Sequence, residues 1–296
     1  MTSKKLYLTI FGIVLFVALA VFVVKMILLH SNANTNRFVS IEDATTFLVA
    51  HVKDDYVKFV TELGENIKDP KFLEAVRLLK NKYGTVQSST HFYPVKALIP
   101  TQNEISPEKS LLFPLKNAAT ADLFLKGGNI AVGNNSIVTS CGGRYIIDGH
   151  HRWSQLAVMN PTSYIKSIDL DNMCSPVDTL KAVQLGIAGA VGKIPIKGVK
   201  DFNLLSPNFD FGLFKSFIVA NIDPSVIPVF EKYGKGYNVD EIVAYLWSNV
   251  EYLRMNNQPA TGAPKRDYMP QTDTTSGSEW QTYLPKLESY ANFCQR

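Results

Sequence analysis

The sequence is poor in the residues that mark several common kinds of site. Its three cysteines, Cys141, Cys174 and Cys294, form no CxxC pair and suggest no disulfide framework, and the odd number leaves at least one thiol free. Of the five histidines only His150 and His151 lie together, and adjacent residues at a helix start rarely bind one zinc ion. The net charge is +4, but no dense Lys/Arg block or basic patch supports a nucleic-acid partner.

Charged residues are also scarce, at 19% of the chain, partly because of one apolar run near the N-terminus. Residues 6–24 contain no charge, and beyond Lys25 the run resumes to residue 29. A helix of this length crosses a hydrocarbon core of ~30 Å, and a lysine near its end can reach the interface. Ser31-Asn32-Ala33 offers small residues for a signal peptidase, but the run exceeds the roughly 7–15 residues of a signal core. We therefore expect an uncleaved single-pass anchor in residues 1–30, with residues 6–29 in the lipid bilayer.

The orientation of this anchor follows from the charges on either side of the span. Lys4, Lys5 and the free amine precede it, whereas Lys25 and Arg37 follow it. This small excess favours a cytoplasmic N-terminus and a translocated body. The sequence Asn134-Asn135-Ser136 is an N-glycosylation acceptor only if the body is translocated.

The periodicity of apolar residues divides the rest of the chain, in which we find no internal repeat. Residues 31–91 are predicted to be a tether followed by two or three helices between residues 40 and 84. Residues 92–200 alternate short strand patterns with helices, which is typical of a mixed α/β (α+β) domain. Residues 201–255 return to helical spacing. Residues 256–296 are a tail rich in Pro, Thr and Ser that ends in a short helix.

The stretch IIDGHHRW, residues 146–153, has the most chemical information. An apolar strand ends at Asp148, Gly149 permits a tight turn, and a helix follows. The N–H groups at a helix start favour an anion, and His150, His151 and Arg152 add side-chain donors there. Arginine can hold a phosphate through two parallel hydrogen bonds, while Asp148 suits a magnesium ion or the orientation of a histidine ring. The structural alternative is that the carboxylate and a histidine only brace the turn.

IIDGHHRW resembles the signature of the ParB/sulfiredoxin superfamily, in which a G-x-x-R turn opens a helix and binds nucleotide phosphates. Gly149 and Arg152 match both branches, and His151 matches the sulfiredoxin histidine. His150 stands where sulfiredoxins have their catalytic cysteine, and Cys141 is a poor substitute, so sulfinic-acid reductase activity is not expected. VKALIPTQNEIS, residues 95–106, is similar to the opening strand and loop of ParB-like domains. The resemblance covers about residues 92–200 and extends to ParB-like proteins of large DNA viruses and phages.

The resemblance implies a ParB/sulfiredoxin-like mixed-sheet domain that binds a nucleoside triphosphate with Mg²⁺. Asp148 would hold the metal, Arg152 would neutralise developing charge, and one of the two histidines would transfer a proton. The residues expected to contact the nucleotide are Thr101, Gln102, Gly149, His150, His151 and Arg152, joined by Lys265 and Arg266 if the loop of residues 262–273 closes over the phosphates. A solvated surface loop is the commoner arrangement for such a segment, and we expect Trp280 to anchor the tail that follows.

Two functions from different classes remain open on the sequence. The first is a membrane-anchored, nucleotide-dependent hydrolase, nuclease or kinase, because relatives in the superfamily include NTPases, an amino-acid kinase and proposed nucleases. The second is a non-catalytic structural or interaction protein, such as a component of a viral or host membrane, that keeps the fold. No helix-turn-helix segment follows the domain, so chromosome partitioning is not implied.

Overall fold

The computed structural model of the chain describes residues 37–134, 136–195, 202–275 and 277–287. This part contains ten α-helices and a six-stranded mixed sheet, as expected for a mixed α/β protein. The predicted anchor, the centre of the glycosylation sequence and the predicted terminal helix lie outside the described residues. The helices are α1 (Ile41–His51), α2 (Tyr56–Asn66), α3 (Pro70–Tyr83), α4 (Pro107–Lys116), α5 (Ala118–Lys126), α6 (His150–Met159), α7 (Pro176–Val191), α8 (Phe211–Asn221), α9 (Ile227–Lys232) and α10 (Val239–Asn256). The strands are β1 (Ser88–Pro94), β2 (Ile99–Pro100), β3 (Asn129–Ile130), β4 (Ile137–Ser140), β5 (Tyr145–Asp148) and β6 (Tyr164–Leu170).

The three N-terminal helices form where their start signals predict them. Ser40, Asp55 and Asp69 precede α1, α2 and α3, and each side chain accepts a hydrogen bond from an N–H group in the first turn. Pro70 occupies the first turn of α3, where its missing N–H group is no loss. Local sequence therefore determines this helical segment.

The sheet has the strand order β1-β6-β4-β5-β2, and β3 pairs with β6 beside β4. β6 lies antiparallel to β1 and parallel to β3 and β4, while β5 lies antiparallel to β4 and parallel to β2. Because β2 and β5 are parallel neighbours, their carboxyl ends reach the same edge of the sheet. The loop after β2 and the start of α6 are thereby brought together.

Helices cover both faces of this sheet. Successive strand residues point to opposite faces, so Ile137 and Ile146 belong to one hydrophobic core whereas Val138 and Ile147 belong to the other. The first core also includes buried residues of α4–α6, α8 and α10, and the second those of α1–α3 and α7. The site region thus lies in a three-layer arrangement of helices, sheet and helices.

Several elements differ from the prediction. VKALIP was predicted to be a strand, but residues Val95–Ala97 form a 3-10 helix and only Ile99–Pro100 pair as β2. Strand β1 was missed, because its residues are mostly polar and it pairs on one side only, with β6. The segment from Pro107 is one of the helices expected between residues 92 and 200: it forms α4, capped by Ser106.

A disulfide bond joins Cys141 to Cys174, although the cysteine pattern of the sequence suggested no disulfide framework. The reason is topological: Ser140 at the end of β4 is aligned with Leu170 at the end of the parallel strand β6. The turns that follow these two strand ends therefore lie side by side, and the two Cα atoms are 4.6 Å apart. Spacing along the chain does not reveal such a pairing.

Within the described residues, no single helix is both long and apolar enough to cross a bilayer. The pair Phe211–Asn221 and Pro224–Lys232 meets the criteria of length and composition together, with a bend of 100° between its two helices.

Candidate functional site

The strand-to-helix junction predicted from the sequence is present at the end of β5. Gly149 has φ of 91° and ψ of 24°, a left-handed conformation that glycine adopts without strain. A Cβ atom at this position would lie 2.6 Å from Cγ2 of Ile137. The turn therefore requires glycine both for its backbone angles and for the close approach of β4.

Helix α6 differs from the other described helices in how it starts. Each of the others with nine or more residues has a Ser, Asp or Asn side chain that accepts from its first turn. Gly149 offers no side-chain cap to α6. The adjacent Asp148 carboxylate accepts the N–H of Gly149 itself, at 2.6 Å, rather than those of the helix. The first N–H groups of α6 are thus left for a ligand or water, and the positive end of the helix dipole points the same way.

A cavity of about 340 Å³ opens at this helix start. It is lined by Gln102, Lys109, Asp148, Gly149, His150, His151, Arg152, Gln155, Arg266, Gln271 and Asp273. Three of these side chains are cationic and two are carboxylates. A wider groove of about 870 Å³ between α1 and α3 includes only one cation, Lys82, and one carboxylate, Glu42. The chemistry of the lining, rather than the volume, therefore identifies the site.

The loop after β2 forms one wall of the cavity, as the parallel pairing of β2 with β5 requires. Thr101 is buried; its N–H donates to Nε2 of His150 at 3.0 Å and its hydroxyl donates to the carbonyl of Ile146 at 2.6 Å. Gln102 lines the cavity and donates to the carbonyl of Glu104. The resemblance placed both residues at the ligand; Gln102 lines the cavity, whereas Thr101 is not among the lining residues and bonds to His150 and Ile146 instead.

His150 is buried with 3% of its surface exposed and is held as a neutral ring. Burial, with the nearby Arg266 guanidinium, lowers the pKa of His150 to about 3. Because Nε2 accepts from Thr101, the single proton of the neutral imidazole lies on Nδ1. His150 therefore braces the loop after β2 and does not offer Nε2–H to a ligand.

His151 lies at the cavity wall among hydrogen-bond donors. The N–H of Ser106 donates to Nε2 at 3.0 Å, and Nη1 of Arg266 contacts Nδ1 and lies 3.1 Å from Nε2. Burial, followed by the charge of Arg266, lowers the pKa of His151 to about 2. A neutral imidazole has one acceptor nitrogen, whereas two donors, the Ser106 N–H and Nη1 of Arg266, contact this ring.

Arg152 stands between two cavities. Its Nη1 donates to the carbonyl of Ser136 at 2.9 Å, which fixes one side of the guanidinium. The side chain lines the first cavity and also a second one of about 290 Å³, whose apolar wall includes Val138 and Ile168. Its other terminal nitrogen, Nη2, lies beside the turn, 3.2 Å from the position that a Cβ atom on Gly149 would take.

The C-terminal strap, which we define as residues 257–275, closes the site from outside. It runs along β2 and the following loop: Asn257 donates to the carbonyl of Leu98 at 2.7 Å, and the N–H of Ala260 donates to the carbonyl of Pro100 at 2.9 Å. The N–H of Arg266 donates to Oε2 of Glu104 at 3.0 Å. The Tyr268 carbonyl accepts from the hydroxyl of Tyr56 on α2 and from Gln184 on α7. The strap is therefore fastened at several points.

The two basic residues of the strap behave differently. Arg266 is only 8% exposed and lines the cavity, unlike a residue of a solvated surface loop. Lys265 is exposed and is not among the lining residues. Trp280 is 2% exposed within the second core, which agrees with its expected role as an anchor of the tail. The glycines of α7 allow this close packing, since a Cβ at Gly186 would lie 2.7 Å from the Trp280 carbonyl.

Sequence reasoning missed five residues of the site. Lys109 and Gln155 lie on α4 and α6, where the amide of Gln155 donates to the Lys109 carbonyl at 2.8 Å. Gln271, Thr272 and Asp273 belong to the strap, and Thr272 donates to Asp148. The start of α4 was marked by Ser106-Pro107, and the loop of residues 262–273 was expected near the phosphates, but only through Lys265 and Arg266.

Magnesium, expected at Asp148, fits this site only in part. Among the described residues, no group of three or more His, Cys, Asp and Glu side chains could hold a metal ion. Asp148 and Asp273 both line the cavity, and one or two carboxylates with ligand phosphates are a common magnesium arrangement. However, both oxygens of Asp148 already accept hydrogen bonds from Gly149 and Thr272. These residues fit a metal delivered with a phosphorylated ligand, not one held by the protein alone.

Comparison of the chain with models of protein families, with curated proteins and with solved structures finds no match.

Proposed function

We propose that the chain binds a phosphorylated small molecule, such as a nucleotide, through the start of helix α6. The observation that supports this most is the uncapped N-terminus of α6, which opens into a cavity lined by Lys109, Arg152 and Arg266. Free N–H groups and the helix dipole favour an anion, and two guanidinium groups suit the geometry of phosphate oxygens. The ParB/sulfiredoxin-like fold proposed from IIDGHHRW agrees with this location of the ligand.

The proposed role is binding, with phosphoryl transfer or hydrolysis as the reaction class to be tested. Arg152 would compensate charge on the phosphate, and Asp148 with Asp273 would face a Mg²⁺ ion that arrives with the ligand. A proton-transfer role at neutral pH is less well supported for either histidine, because their pKa values are lowered to about 3 and about 2. Both rings are neutral near pH 7 and already accept hydrogen bonds from backbone N–H groups.

A second candidate function is supported by the same contacts. Asp148 and His150 bond to residues of the protein itself, which is what a junction with a purely structural role would need. On this alternative the chain is a non-catalytic scaffold or interaction protein, with the cavity filled by water. The two candidates differ in one measurable property, the affinity for a phosphate compound.

We propose further that residues 6–29 anchor the chain in a membrane, with the body on the translocated side. The Cys141–Cys174 bond supports this orientation, because disulfides form and persist mainly in oxidising compartments. A viral or host membrane is the setting that the resemblance to viral proteins suggests.

Thermal unfolding of the purified full chain tests the proposed function. Pyrophosphate, ATP and CTP are added with and without Mg²⁺, and a ligand at a hundredfold excess over its Kd should stabilise the fold by ~2.7 kcal/mol. Arg152→Ala should abolish this stabilisation. Arg144→Ala is the matched control, because it removes the same charge near the opposite end of β5, where Arg144 stacks over Tyr145.

Stabilisation of the wild-type chain and of Arg144→Ala, but not of Arg152→Ala, supports the proposal. No shift with any phosphate compound would contradict it and favour the scaffold. Stabilisation only when Mg²⁺ accompanies the ligand would support the metal at Asp148, and turnover assays on the ligand that binds would then test catalysis.

A further inference from the structure

Asp148 lies where its carboxylate competes with any anion at the start of α6. It directly precedes Gly149, and aspartate near a helix start readily accepts from the first N–H groups of the helix. Its negative charge would also repel a phosphate placed there. The site therefore needs a device that keeps this carboxylate away from the helix.

Thr272 of the strap holds the Asp148 carboxylate through two hydrogen bonds. Oδ2 of Asp148 accepts from the N–H of Thr272 at 3.0 Å and from its hydroxyl at 2.5 Å, while Oδ1 accepts from the N–H of Gly149. Thr272 is 8% exposed, and its carbonyl accepts from the hydroxyl of Thr275 at 3.0 Å. The carboxylate is thus bonded on both oxygens and directed toward the strap.

We propose that Thr272 is a positioning residue, which holds the Asp148 carboxylate off the helix start so that the ligand can take the N–H groups of α6. This inference rests on the proposed function, because it assigns a role to Thr272 only if a phosphate binds there. Without the Thr272 hydroxyl, Asp148 keeps a single bond to the strap and can turn to cap α6. Asp148 would then act as an internal inhibitor of binding.

Pyrophosphate affinity of the full chain, measured by calorimetry, tests this role. Thr272→Val should weaken binding about tenfold, since a hydrogen bond to a charged group has a net worth of this order. Thr272→Ser keeps a hydroxyl and should bind within about twofold of the wild type, a difference too small to count as loss of a hydrogen bond. Thr274→Val is the matched control, because the Thr274 hydroxyl donates within the strap, to the carbonyl of Gln271 at 2.6 Å.

Asp148→Ala separates positioning from a merely structural role. In this background the competing carboxylate is gone, so adding Thr272→Val should change affinity by less than about twofold, the signature of coupled residues in a double-mutant cycle. Circular dichroism verifies folding of each variant, and Thr272→Cys, with a weaker S–H donor, replaces Thr272→Val if that variant unfolds.

The outcomes distinguish this inference from the proposed function. A loss with Thr272→Val that disappears in Asp148→Ala supports the positioning role. An equal loss in both backgrounds, or no loss in either, overturns the role of Thr272 while phosphate binding stands. A wild-type chain that binds pyrophosphate neither alone nor with Mg²⁺ overturns the proposed function and this inference with it.

Discussion

Substitution of Gly149 by alanine should destabilise the fold more than any ordinary change of one methyl group. At φ of 91° an L-residue incurs a backbone cost of about 1–2 kcal/mol. The new Cβ would also lie 2.6 Å from Cγ2 and 2.9 Å from Cβ of Ile137, and such overpacking costs about 1–3 kcal/mol. We therefore expect Gly149→Ala to lower the free energy of unfolding by about 2–5 kcal/mol, a large fraction of the 5–15 kcal/mol typical of a domain.

Urea denaturation followed by circular dichroism measures this difference. The midpoint should fall with an unchanged slope, because the surface exposed on unfolding stays the same. Gly142→Ala is the matched control: Gly142 also has a positive φ, 66°, but a Cβ there would meet no atom within 4 Å. Gly142→Ala should therefore lower the free energy of unfolding only by the cost of the backbone conformation, about 1–2 kcal/mol. If Gly149→Ala lowers the free energy of unfolding no more than Gly142→Ala does, then β4 does not pack closely against the helix start.

Two further predictions concern the disulfide and the buried histidine. Thiol titration of the unfolded, unreduced chain should find one free thiol among the three cysteines, and three free thiols would contradict the bond. Because the bond closes a loop of 33 residues, Cys174→Ser should lower the free energy of unfolding by about 3–4 kcal/mol. Burial lowers the pKa of His150 from 6.5 to about 3. As the pH falls below 6.5, the imidazole is therefore protonated in the unfolded chain but not in the folded one, so the free energy of unfolding decreases progressively until about pH 3. His150→Gln should therefore flatten the pH dependence of unfolding between these values by up to about 1.4 kcal/mol per pH unit, and the same slope in both proteins would refute a buried neutral His150.

The sequence was sufficient where structure depends on neighbours along the chain. Ser40, Asp69 and Ser175 mark helix starts that the structure has, because a capping side chain bonds N–H groups two or three residues away. The junction at Gly149 was equally accessible, since a strand pattern, a glycine and a helical pattern follow one another directly. Thr101 and Gln102 were placed near it by resemblance alone.

The sequence was insufficient where contacts join distant segments. Thr272 is 124 residues from Asp148, and a stretch rich in Pro and Thr has no periodicity that predicts its path. Gly186 and Gly189 within an apolar helix were a signal only for the segment after the strap, because a Cβ at these positions would meet Trp280 and Tyr283. The pairing of Cys141 with Cys174 likewise depends on the adjacency of β4 and β6, which strand patterns do not reveal.

Backbone amide chemical shifts recorded during a pyrophosphate titration show directly whether the anion binds at the start of α6. The amide signals of His150, His151 and Arg152 should move together and saturate with one Kd, because these N–H groups receive the anion. Amides in the groove between α1 and α3 should not move. Signals at the start of α6 that remain in place at saturating pyrophosphate would show that the anion does not bind there.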